Sequence, residues 1–107
     1  MGRRERDIEQ YFREQCRKHG FLCLKFVSPA RNGVPDRIVV TQVKTVFVEL
    51  KKPGGTLRKI QRVMHSKLRR YGAAVHLVDD HESVDRLILE LSAGGRPTAE
   101  PDERQAV

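Results

Sequence analysis

A chain of 107 residues has room for one small core and none for a second. Its 21 Lys and Arg against 14 Asp and Glu leave a net charge of +7, so an acidic polymer or surface is the expected partner. No apolar run reaches membrane-spanning length, and the charged start lacks the apolar stretch of a signal peptide, so no membrane role is expected.

From about Arg4 to Lys18 the spacing is helical, with Ile8, Tyr11, Phe12, Gln15 and Cys16 on one side. Glu5 projects into that stripe and Glu9 sits at its edge; Glu5 reads either as a helix-start acid favoured by the macrodipole or as part of a site. Cys16 and Cys23 have neither CxxC nor His spacing for zinc, and read as free thiols of a reducing compartment. Gly20 ends the helix, and Phe21–Val27 reads as the first strand. A loop follows over 28–34, broken by Pro29, Asn32 and Gly33, in which Arg31 is a candidate phosphate contact, as is Lys25 on the strand before it.

The next two strands, 36–40 and 46–51, are short β-branched runs. A two-residue turn at Gln42-Val43 sets Asp36 opposite Glu49, although that turn lacks the Gly or Asn such loops prefer. Glu49 and Lys51, two apart, share one strand face. Apolar residues on both faces of the hairpin, Ile38 and Phe47 among them, predict a covered, central pair. A Glu49–Lys51 ion pair on a solvated face is the plain alternative. Charges at the end of a covered sheet need partners, and a divalent ion such as Mg²⁺ is one way to provide them.

Lys52-Pro53-Gly54-Gly55 stops the second hairpin strand. A helix is predicted from an N-cap at Thr56 to about Arg70, with Gly72 as its stop and Leu57, Ile60, Met64, Leu68 and Tyr71 as its buried stripe. Gln61 lies inside the stripe, either bonded to core backbone or part of a site. Arg58, Lys59, Arg62, Lys67, Arg69 and Arg70 line the other face, where positives without an acid fit phosphate binding. Residues 73–78 form the next strand after a right-handed crossover, and Asp79-Asp80 begin a turn before a last helix over Ser83–Leu91. The domain is expected to occupy 1–93, with a flexible tail over 94–107.

Pro35-Asp36 and Glu49-Leu50-Lys51 resemble the core of the PD-(D/E)xK nuclease superfamily. The wider run Gly33-Val34-Pro35-Asp36, Val48-Glu49-Leu50-Lys51-Lys52-Pro53-Gly54-Gly55 and Gln61 resembles its VRR-NUC family, the virus-type replication-repair nucleases, over roughly residues 4–90. The resemblance implies an α/β, restriction-endonuclease-like α-β-β-β-α-β-α core with a mixed sheet flanked by helices. It also implies hydrolysis of DNA phosphodiesters with Mg²⁺ or Mn²⁺ held by Asp36, Glu49, the Leu50 carbonyl and a first-helix glutamate, Glu5 in preference to Glu9. Asp36, Glu49, Lys51 and Gln61 would carry the chemistry, Gln61 by positioning water or substrate. Arg31, Lys52, Arg58, Lys59, Arg62, Lys67 and Arg69 would bind the nucleic acid. Virus-type members imply a homodimer acting on branched DNA such as four-way junctions, in the cytoplasm of a bacterial or phage-infected cell. The competing readings are a non-catalytic basic binding module, which leaves Asp36, Glu49 and Gln61 without a purpose, and a restriction-type or flap nuclease of the same superfamily.

Overall fold

The computed structural model describes residues 4–93. In chain order these form α1 (Glu5–Lys18), β1 (Leu22–Lys25), β2 (Arg37–Val40), β3 (Thr45–Leu50), α2 (Lys59–Arg70), β4 (Val75–Val78) and α3 (His81–Ala93), the expected order of elements. The tail proposed for 94–107 lies outside the described residues. The strands make one mixed sheet in the order β1-β2-β3-β4, antiparallel at the first two junctions and parallel at the third. A parallel pair cannot be joined by a tight turn, and α2 is the crossover that joins β3 to β4.

The β2–β3 hairpin pairs Arg37 with Val48 and Val40 with Thr45. This is the register that a two-residue turn at Gln42-Val43 demands, and its continuation brings Asp36 beside Glu49. The turn holds without Gly or Asn because Thr41 substitutes for them. Its hydroxyl accepts the N–H groups of Val43 and Lys44 at 3.1 and 3.0 Å, and its own N–H donates to the Lys44 carbonyl at 2.8 Å.

Alternation along β3 divides the molecule into two unequal halves. Val46, Val48 and Leu50 join Val39 and Val78 on the face covered by α1 and α3, where Ile8, Phe12, Cys16, Val84, Leu87, Ile88 and Leu91 close the core. Each such apolar side chain contributes about 1.5–3 kcal/mol on burial, so this face carries most of the stability. Cys16 and Cys23 are both free thiols.

On the opposite face the structure departs from the expected stripe. Helix α2 begins at Lys59 with Arg58, not Thr56, as N-cap, and its buried residues are Gln61 and His65. Ile60 is 44 % exposed and Tyr71 82 %. The reason lies beneath the helix, where β3 presents Glu49. A buried carboxylate needs polar partners more than apolar cover, and α2 is rotated to supply them. The hairpin is central in strand order, yet α2 packs toward β4 and leaves Leu22 and Leu24 of β1 exposed. Helix α3 starts two residues earlier than the expected Ser83. Asp80 accepts the Ser83 N–H at 2.7 Å and the Ser83 hydroxyl accepts the N–H groups of Asp79 and Asp80, so this acidic pair serves the helix start.

Candidate active site

The acids reach the site from three separate elements. Pro35, buried and without an N–H to satisfy, leads into Asp36 immediately before β2. Asp36 Oδ2 accepts the Leu50 N–H at 2.8 Å, which ties the start of β2 to the end of β3. Arg37, next in sequence, turns to the other face and pairs with Glu9 of α1. Two residues before Pro35, Gly33 has φ +86°, and a Cβ there would stand 2.5 Å from the Ile60 carbonyl oxygen. Only glycine lets this loop lie against the first turn of α2.

Glu49 is 2 % exposed and is addressed from two sides. Lys51 Nζ lies 3.8 Å from Oε2 on the same strand face. Gln61 Nε2 donates to that oxygen at 3.0 Å, while Gln61 Oε1 accepts the Arg58 N–H at 2.8 Å. The second bond fixes which end of the amide meets the carboxylate, because a backbone N–H can only face the amide oxygen. Both ends of Gln61 are therefore engaged within the protein, where the amide holds Glu49 with one of its two N–H donors. His65, one turn further along α2, stands with Nε2 3.5 Å from Glu49 Oε1. Burial first, and then the adjacent Asp36 carboxylate, push the Glu49 pKa up to about 7, against the opposing pull of Lys51.

Glu5, exposed at the start of α1, is near enough for its charge to add to that rise. Glu9 is committed to Arg37 instead. Leu50 directs its side chain into the core and its N–H to Asp36. Among the described residues no three acidic, His or Cys side chains stand close enough to enclose an ion unaided. Two carboxylates suit a hard cation that completes its shell with water and phosphate. The fit is favoured by the adjacency of the Asp36 and Glu49 carboxylates, whose like charges a cation between them would offset.

The positive residues divide by position. Lys52, Arg58 and Lys59 are exposed around the end of α2 nearest Glu49, and Arg31 is exposed on the loop before Gly33. Arg62 donates to the Leu57 carbonyl at 2.7 Å and Arg69 to the Val75 carbonyl at 2.9 Å, so both guanidinium groups brace α2. Lys67 is half-buried in the last turn of α2. A cleft of about 710 Å³ between α1 and β1, lined by Arg6, Glu9, Arg13, Phe21 and Cys23, contains none of Glu5, Asp36 and Glu49. Two polar residues of the interior escaped the sequence reading, Arg37 and His65. Arg37 shares the parity of core-facing Val39, and His65 follows Gln61 by one helical turn; these spacings were the available signals.

The mixed sheet, its flanking helices and the acids at the β2–β3 junction define a nuclease of the restriction-endonuclease-like class. No family model matches the chain. It is 40 % identical over 80 residues to p44 of Acyrthosiphon pisum secondary endosymbiont phage 1, a protein provisionally named as a nuclease, covering 74 % of this chain and 86 % of that one. A solved structure described as a VRR_NUC domain superposes with a TM-score of 0.73 at 30 % identity, over 79 % of this chain and 94 % of that one. The chain belongs to the VRR-NUC family. No helix among the described residues is long and apolar enough to cross a membrane.

Proposed function

We propose that this nuclease is a divalent-metal-dependent endonuclease that cuts DNA according to its branched shape. The observation that carries the reading is the crowding of Asp36 and Glu49 at one sheet end, with Lys51 Nζ 3.8 Å from the buried Glu49 carboxylate. Asp36 and Glu49 would hold Mg²⁺ or Mn²⁺, with Glu5 at the rim and the Leu50 carbonyl as a further oxygen. When bound, the ion supplies Lewis acidity toward a phosphate oxygen and a water of lowered pKa. Lys51, on the same strand face as Glu49, offsets negative charge that develops on the phosphate during attack. Gln61 keeps the Glu49 carboxylate from turning away. Lys52, Arg58 and Lys59, with Arg31 across the loop, seat the backbone of the substrate near the acids.

Four-way junctions are the substrate we favour, cut by a homodimer in the cytoplasm of a bacterial or phage-infected cell. One domain of this size offers a single site, whereas symmetric nicks need two sites related by a two-fold axis. The described residues contain little beyond the core with which to read bases, which favours shape over sequence as the feature recognised. The deciding experiment is a cleavage panel in Mg²⁺ and in Mn²⁺ over duplex, flap, splayed and four-way-junction DNA. Paired, symmetric nicks in the junction are expected. Cutting of flaps alone would assign a different branched substrate, and no cutting of any DNA with either ion would reject the reading.

A further inference from the structure

The Glu49 carboxylate has one α2 side chain directed at each of its oxygens. Gln61 donates to Oε2, and His65, four residues on, brings Nε2 to 3.5 Å from Oε1. At that distance the second contact is not yet a strong hydrogen bond. Neither His65 Nε2 nor Glu49 Oε1 has any other partner among the described residues, and both side chains are only 2 % exposed. Two buried polar atoms thus face each other, each otherwise without a hydrogen-bond partner among the described residues.

Leaving a polar atom unpaired in the interior costs about 1–3 kcal/mol. If packing were the only task at this position, leucine would fill it without that penalty, so the imidazole calls for a reason beyond volume. Its burial keeps it from touching substrate or bulk water, and any role must pass through Glu49. Gln61 and His65 share one face of α2 at a spacing of four residues, which sets them side by side over the strand. The loop at Gly33 pins the first turn of the same helix against the sheet.

We propose that His65 is a positioning residue, which donates from Nε2 to Glu49 Oε1 and, with Gln61, fixes the carboxylate in the orientation that receives the divalent ion. The inference rests on the metal-dependent reading above and adds to it a residue outside the Asp36–Glu49–Lys51 set. A carboxylate tethered at one oxygen pivots; one tethered at both presents its remaining lone pairs in a fixed direction. Loss of such an outer partner lowers metal affinity by about 10–100-fold in comparable arrangements.

The test is Mn²⁺ titration of the full chain by calorimetry, with melting temperature and cleavage kinetics measured alongside. His65→Leu keeps the bulk and removes the donor; His65→Gln restores an N–H at similar reach. His65→Leu is expected to melt no lower than wild type, bind Mn²⁺ about 10–100-fold more weakly, and lose kcat with KM for DNA unchanged. His65→Gln is expected to recover most of the affinity. Wild-type Mn²⁺ affinity in His65→Leu, or equal losses in the Leu and Gln variants, would overturn the assignment while leaving the nuclease reading intact. Absence of Mn²⁺ binding by the wild-type chain would instead overturn both. Should His65→Leu melt below the titration temperature, His65→Asn serves against His65→Gln. The shorter amide cannot reach Oε1, and equal affinity in these two would overturn the proposal.

Discussion

At Glu49 the burial that excludes water also retains a proton. Its pKa rises from an ordinary 4.5 to about 7, chiefly through desolvation and then through Asp36. Between those values the folded chain holds more protons than the unfolded chain, so stability falls as pH rises through this window. Urea midpoints of the metal-free protein are expected to decline across that range, and Glu49→Gln is expected to flatten the decline; an unchanged slope in the variant would assign it to another group. A divalent ion competes with the same proton, so Mn²⁺ affinity should weaken as pH drops below about 7. Asp36→Asn and Glu49→Gln should each reduce cleavage by more than ~100-fold, beyond the effect of an outer-shell partner. DNA binding without metal should stay within a few-fold of wild type, because the exposed cations that would contact phosphate are separate side chains.

Helix α2 was the element least legible in the sequence, and the reason is physical. Periodicity assumes that a helix turns its apolar residues inward, which α1 does with Ile8, Phe12 and Cys16. In α2 the sheet face below carries a buried acid, so Gln61 and His65 take the inward positions and Ile60 and Val63 face out. Asp36 and Glu49 were legible together because strand parity and turn length fix register. Gln61 was legible as an amide inside the helix stripe, but its bonds to Glu49 and to the Arg58 N–H are not ones that spacing reveals. The same element yields two tests. Gly33→Ala combines positive φ with a backbone clash at Ile60 and should lower stability by ~1–3 kcal/mol in urea unfolding, with loss of cleavage. Charge removal at Lys52, Arg58 and Lys59 should weaken binding to all DNA sequences alike, and should lower the salt slope by about 0.9 for each phosphate no longer neutralised. Arg62 and Arg69 are poorer choices, since each also braces a backbone carbonyl.

The molecule as a whole has one sheet face sealed by two helices and one covered by a single helix. The uncovered part of the second face runs along β1, where Leu22 is 55 % and Leu24 43 % exposed. Tyr11 of α1, by contrast, stacks on His81 at 3.7 Å between ring centroids and donates to Asp85 at 2.6 Å, which engages it within the chain. The strand pair is the better seam for the proposed dimer. Sedimentation at micromolar concentration should therefore show a dimer for the wild type and a monomer for Leu22→Glu/Leu24→Glu. A wild-type monomer would remove the dimer from the reading without touching the nuclease assignment.

The polar underside of α2 has a consequence for the timescale on which the molecule opens. Helices α1 and α3 are fastened by oil, so their amides should exchange with solvent only when the whole domain unfolds. Helix α2 is fastened largely through an acid, an amide, an imidazole and a guanidinium, contacts that loosen individually. Amides from Gln61 to Leu68 should therefore exchange through a separate, lower-energy opening. Adding Mn²⁺ should slow that exchange while leaving the α1 amides unchanged, making deuterium uptake by this one helix a gauge of the proposed loading of Asp36 and Glu49.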